Sequence, residues 1–189
     1  MPKVRLTNLK LSETMVLQRL LQLYYFESTS WSKEDICSNG LYDGCTASDL
    51  ELYVDSKEAK AHLIWVGEIL VGFVLLDRIE LEERPIWELA DFFVLPKYRG
   101  GWIALEAVRQ IFNEVDQPMA ASTFKENELA LRFFKAVSKR IQLNSVRELI
   151  EEDSPFYTFI VNELVPNNPR HSGPAAPATL TSSRACAGR

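Results

Sequence analysis

Apolar residues recur along the chain with two different periods, and the switching between them predicts the order of elements. Val4, Leu6 and Leu9 mark a short first strand. Leu17, Leu20, Leu21 and Tyr24 follow at i, i+3, i+4 and i+7, one stripe of a helix that Ser12 can cap. Tyr25 and Phe26 give that helix a bulky aromatic end. Residues 30–54 are polar and broken up. Ser32 with Asp35, and Ser48 with Glu51, have capping-box spacing, and Asn39-Gly40 is a stop signal, so two short helices are expected around a loop at 41–47. Residues 61–66 and 69–76 are strand-like on either side of the tight turn Gly67-Glu68. Gly72 inside the second strand marks close backbone packing. The acidic stretch 77–84 (DRIELEER) reads as solvated, and 87–95 as a third long strand ending at Pro96.

Beyond Gly100-Gly101 the period becomes helical again, with Ala104, Ala107, Val108, Ile111 and Val115 on one face. Pro118 closes that connection, and 119–124 is a short strand. Asn127 opens another helix, striped by Ala130, Phe133, Phe134 and Val137. Residues 145–150 and 156–161 are two strands joined by the acidic turn 151–155. The order β-α-α-β-β-β-α-β-α-β-β predicts an α+β fold, with a mixed, largely antiparallel sheet of six to seven strands flanked by helices. The strand–helix–strand unit at 87–123 supplies one parallel crossover, right-handed by the general rule. After Leu164 the composition turns to Pro, Ala, Ser and Gly, which bury too little surface to offset ordering entropy. Residues 1–164 therefore read as one domain and 165–189 as a disordered tail.

A hydrophobic fraction of 47% allows a sizeable core. No window approaches an uninterrupted membrane span, and the start MPKVRLTNLK has no signal-peptide core, so a cytoplasmic protein with no membrane partner is expected. Three cysteines (Cys37, Cys45, Cys186) do not read as a disulfide framework, and with only His62 and His171 beside them they make no zinc site, so no metal is expected. His62, beside an apolar strand, reads as a surface or core filler. The net charge is −5, yet residues 165–189 hold three arginines and no acid, so the body is more acidic than the whole. An acidic body argues against nucleic acid as a partner and suits a cationic or amine substrate. Neither Gly-x-Ser-x-Gly nor a phosphate loop ending in Gly-Lys-Ser/Thr is present, which excludes the serine-hydrolase and nucleotide-kinase readings.

Chemistry concentrates at 91–107, DFFVLPKYRGGWIALEA. An apolar strand, a basic segment, two glycines and a helix start form a potential anion site, because unpaired N–H groups and the helix dipole point the same way. Val94-Leu95-Pro96 followed by Arg99-Gly100-Gly101-Trp102-Ile103-Ala104 resembles the cofactor motif of the GCN5-related N-acetyltransferases (GNAT), with Trp102 where the first motif glycine stands. Asn127-x-x-Ala130-x-x-Phe133-Phe134 is similar to the family's Asn-x-x-Ala-x-x-x-Tyr helix, with Phe134 at the tyrosine. The hairpin holding Gly67 and Gly72 looks like the family's second and third strands. The resemblance covers residues 3–163. It implies the acyl-CoA N-acyltransferase fold and acetyl-CoA as acyl donor. By that resemblance the backbone of Phe93, Val94 and Leu95 pairs with pantetheine. The amides of Gly100, Gly101, Trp102, Ile103 and Ala104 meet the phosphates beside Arg99, and Asn127 and Phe134 border the pantetheine arm. Dimers are frequent in this fold, which leaves a homodimer open.

Acetyl transfer to a primary amine, of a small molecule or a protein, needs a group to accept the amine proton. Glu88 is the first candidate base and Asp91 the second. Strict alternation puts them on opposite faces, so both can reach one cleft only if a bulge intervenes. An oxyanion donor is expected from a backbone N–H near Phe93 or Val94. Acceptor contacts are expected from Tyr24, Tyr25 and residues 43–53. Trp102 and Phe134 motivate a second hypothesis, a non-catalytic acyl-CoA-binding or protein-interaction module on the same fold.

Overall fold

The computed structural model describes residues 3–42, 45–115, 118–150 and 153–163. The expected tail at 165–189 lies outside the described residues. Among the described residues seven strands and three α-helices follow one another: β1 (Val4–Asn8), α1 (Thr14–Ser32), β2 (Ala59–Val66), β3 (Ile69–Leu81), β4 (Arg84–Val94), α2 (Ile103–Val115), β5 (Met119–Phe124), α3 (Glu128–Arg140), β6 (Val146–Ile150) and β7 (Phe156–Val161). They form one sheet in the order β1-β2-β3-β4-β5-β7-β6. Every adjacent pair is antiparallel except β4 and β5, which the α2 crossover makes parallel. The α+β reading holds, at the seven-strand end of its range.

The sheet is covered on both faces. On one, α2 and α3 bury Ala107, Val108, Ile111, Phe134 and Val137 against Ile64, Val74, Leu76, Trp87 and Leu89. On the other, Leu17, Leu20, Leu21 and Tyr25 of α1 pack on Ala61, Leu63, Phe73, Leu75 and Phe93. His62 of β2 is a core filler at 2% exposure, and burial lowers its pKa.

Three local expectations change. The stretch 77–84 is not a solvated loop. β3 runs through Leu81, Glu82 and Glu83 turn with φ of 51° and 61°, and β4 begins at Arg84. Paired positive φ is the geometry of a two-residue hairpin turn. The strand's charge density hides a period-2 pattern in which Ile79 and Leu81 are buried while Glu80 is exposed. Second, of the two short helices expected in 30–54 only the one starting at Ser48 forms, and it is a 3-10 helix rather than an α-helix. Ser32 is the last residue of α1, Ile36 and Tyr42 form a lone β-bridge, and Asp49–Tyr53 is a 3-10 turn. The turn's capping uses Thr46, whose N–H and hydroxyl donate to Asp49 at 2.8 and 2.6 Å. Gln22 of α1 pins the segment by bonding both the N–H and the carbonyl of Tyr42. Third, Ser12 lies within a 3-10 turn (Leu11–Glu13) ahead of α1, and the Glu13 carboxylate accepts the Lys10 N–H at 3.0 Å.

Gly72 has the role its position suggested. A Cβ there would lie 2.0 Å from the Phe93 carbonyl oxygen on β4. The clash is with backbone and cannot be relieved by a rotamer change. Gly72→Ala should therefore destabilise the fold by at least about 2 kcal/mol, read as a lowered denaturation midpoint at unchanged slope.

Candidate active site

The site is built where β4 leaves β5. The two strands pair only at Trp87–Met119, Glu88–Ala120 and Leu89–Ala121. Beyond these, β4 continues along β3 while β5 follows β7. The separation coincides with a bulge. Leu76 of β3 faces Leu89 and Leu75 faces Asp91, so Ala90 is an extra residue on β4. A bulge bends its strand and re-aims the side chains beyond it. Here it turns Asp91 onto the face that already carries Glu88. On the opposite face Phe92 stacks on Phe133 of α3, with centroids 5.5 Å apart and planes 11° from parallel.

Glu88 is 7% exposed and takes a hydrogen bond from the Ser122 hydroxyl of β5. With that proton committed, the Thr158 hydroxyl of β7 donates to Ser122 across 3.0 Å. Burial raises the Glu88 pKa, the negative charge of Asp91 adds to the rise, and the Ser122 bond offsets part of it. Asp77 lies directly across from Glu88 in the β3–β4 ladder. Burial pushes its carboxyl up to about 6, with Asp91 and Glu88 adding to the rise against a hydrogen bond from Tyr53. The Tyr53 phenol is itself raised, first by burial and then by Asp77 and Asp91. Four acidic groups from three elements thus converge on the α1 side of the sheet. Sequence reading missed two of them. Asp77 was hidden in a stretch that looked solvated, and Tyr53 was only one position within 43–53; Asp43 and Gly44 lie outside the described residues. The signal that could have found Asp77 is its two-residue spacing from Ile79 and Leu81.

The chain then turns toward α2. Leu95 donates its N–H to the Val71 carbonyl at 2.8 Å. Pro96–Tyr98 is a 3-10 turn, Gly100 takes φ of +76°, and the first helical bond of α2 runs from the Glu106 N–H to the Trp102 carbonyl at 2.8 Å. A Cβ on Gly100 or Gly101 would meet nothing within 4 Å. The left-handed φ, rather than crowding, is what Gly100 is needed for. Trp102 is 37% exposed at the helix start. Arg99 is engaged: its Nε donates to the Val94 carbonyl at 2.6 Å and its two terminal nitrogens to the Glu27 carboxylate at 2.5 and 2.7 Å. Asn127 caps α3, its side-chain oxygen accepting from the Ala130 N–H at 3.1 Å. Phe134 is buried and stacks on Phe159 at 5.4 Å. Among the described residues no group of ligating side chains could hold a metal ion. No described helix is long and apolar enough to cross a membrane.

Residues 18–137 match the sequence profile of the acetyltransferase (GNAT) family. The chain belongs to that family. Solved structures with the same fold include an acetyltransferase from Thermus thermophilus at 17% identity, covering 85% of this chain and 98% of the other with a TM-score of 0.58. A GNAT acetyltransferase from Streptococcus pneumoniae is 10% identical, with coverages of 84% and 97% and a TM-score of 0.55. Arabidopsis thaliana NAA60 in complex with a bisubstrate analogue is 12% identical, with coverages of 84% and 96% and a TM-score of 0.52. At such identities the likeness concerns the fold. No curated protein sequence matches the chain. Members of this family use acyl-CoA donors and acetylate amines.

The buried acids of this GNAT domain make its stability depend on pH. A carboxyl whose folded pKa is raised stabilises the fold while protonated, and that contribution is lost as pH rises through the folded value, about 6 for Asp77. Asp77→Asn should therefore gain on the order of 1–2 kcal/mol at pH 7.5 and flatten the fall in melting temperature between pH 5 and 7.5. Equal pH profiles for the two proteins would contradict this.

Proposed function

We propose that the chain transfers the acetyl group of acetyl-CoA to a primary amine, of a small molecule or a protein, by direct attack with a carboxylate as general base. The observation that carries the proposal is the bulge at Ala90, which brings Glu88 and Asp91 to one face at the point where β4 parts from β5. The divergence leaves β4 backbone beyond Leu89 without a β5 partner, which suits a donor whose pantetheine amides need a strand edge. In this arrangement Phe93, Val94 and Leu95 border the donor, although Leu95 already has its N–H held by Val71 and its carbonyl by Tyr98, and the Val94 carbonyl accepts from Arg99. The amides of Gly100, Gly101, Trp102, Ile103 and Ala104, at the positive end of α2, face the phosphates with Arg99 beside them. Asn127 and Phe134 border the pantetheine arm from α3.

Glu88 is the proposed base, with Asp91 second. An ammonium group must lose a proton before its nitrogen can form a bond to the thioester carbon. A carboxyl raised by burial accepts that proton more readily than an ordinary one. Negative charge then develops on the carbonyl oxygen, opposite a backbone N–H at Phe93 or Val94. The carbon–sulfur bond breaks, the thiolate leaves, and the nitrogen, now bonded to the acyl carbon, gives its second proton to water. Phe134 has no proton to give, so the thiolate is protonated by water or from the carboxyl group that took the amine proton. The acidic lining with Asp77 and Tyr53 favours acceptors that arrive as cations. The same Phe134 supports the second reading, an acyl-CoA binder without turnover.

Titration calorimetry with acetyl-CoA tests the donor site. Saturable binding that Arg99→Glu abolishes is expected, and no binding at millimolar ligand would sink both readings. An amine panel assayed by free-thiol release then separates enzyme from binder. Glu88→Gln should lower turnover by at least about a hundredfold. Turnover that survives this change but is lost in Asp91→Asn moves the base to Asp91.

A further inference from the structure

The donor loop and the acceptor-side helix are joined by one side chain. Arg99 precedes the Gly100 turn, yet its guanidinium does not point to the start of α2. It lies over the Phe93 ring, 5.3 Å from the centroid. Phe93 packs with α1, whereas α2 packs on the opposite face of the sheet. On the α1 side both terminal nitrogens meet the two oxygens of Glu27, and Nε holds the Val94 carbonyl. A planar guanidinium held this way has three of its five N–H donors fixed in one plane, a geometry lysine cannot reproduce. The pair is partly withdrawn from water, with side-chain exposures of 27% for Arg99 and 33% for Glu27. Glu27 follows Tyr24 and Tyr25 by less than one helical turn, and Tyr24 sits edge-on to Phe93 and Phe73 at 6.0 Å.

We propose that Glu27 is a positioning residue for the donor site. Through Arg99 it braces the end of β4 and the Gly100-Gly101 turn against α1, so the amides at 100–104 are held ready for phosphate. The inference rests on the acetyl-CoA reading and adds to it. Arg99 serves the phosphates by fixing the loop's backbone, and the helix proposed to meet the acceptor sets the geometry of the donor loop. Binding on one side is then thermodynamically linked to binding on the other.

The test is Glu27→Gln in the full chain, which keeps the shape and removes the charge. Calorimetry should give acetyl-CoA affinity about tenfold weaker, and amide hydrogen exchange at 99–104 should quicken without ligand. In an Arg99→Gln background, Glu27→Gln should cost no more than about twofold further, because Glu27 acts through Arg99. Unchanged affinity or unchanged exchange overturns the proposal. Tighter binding also overturns it, since a released Arg99 would then be a direct phosphate ligand that Glu27 merely occupies. Additive losses in the double variant would place the action of Glu27 elsewhere. An unaltered chain that fails to bind acetyl-CoA refutes the donor reading itself. That result is distinct from an unaltered chain and a Glu27→Gln chain that bind equally well.

Discussion

One inserted residue in a strand sets the geometry of everything proposed to be functional. Without Ala90 as an extra position, β4 would alternate strictly from Arg84 to Val94, and Glu88 and Asp91 would face opposite layers. With it, both carboxylates lie on the α1 side, and the strand bends away from β5 just after their third paired position. The same irregularity supplies an acidic face and a stretch of β4 that does not pair with β5. Its position beside a tightly packed contact is consistent with that task. Gly72 lets β3 approach Phe93 more closely than any side chain would allow, so β4 stays attached on one side as it departs on the other.

The acids that meet there come from elements far apart in sequence. Asp77 sits on β3, Glu88 and Asp91 on β4, and Tyr53 in the 3-10 turn that Thr46 and Asp49 cap. Burial is the first cause of every shift among Tyr53, Asp77 and Glu88, and mutual repulsion adds to each. Holding the Asp77 and Glu88 carboxyls there lowers the stability at neutral pH, a common signature of sites where proton transfer matters. The hydroxyl chain from Thr158 through Ser122 limits the cost at Glu88 without neutralising it.

Arg99 links the Gly100 turn to α1. Reading the motif linearly puts its charge beside the phosphates. In the fold its backbone leads into the Gly100 turn and its head group meets Glu27 of α1 over the Phe93 ring. Trp102 and Phe134, the two departures from the family's pattern, divide similarly. Trp102 is exposed at the helix start, while Phe134 is a core residue stacked on Phe159.

The sequence by itself determined the order of strands and helices, the hairpin at Gly67, the crossover through α2, the Asn127 cap and the family. These depend on periodicity and on local backbone chemistry, which neighbouring residues carry between them. It misread 77–84 because charge density masked an alternation of buried positions. It also turned the capping-box spacing at 32–35 into a helix that does not form, because Ser32 still belongs to α1 and Gln22 holds the following segment at Tyr42, whereas the 48–51 signal gave only a short 3-10 helix. Only the tertiary structure decided that Glu88 and Asp91 share a face, that Asp77 and Tyr53 join them, and that Arg99 turns to Glu27. Each of these depends on strand register or on a contact between residues tens of positions apart. A one-residue change in register reverses which face a side chain takes, and nothing local to Ala90 announces that such a change occurs there.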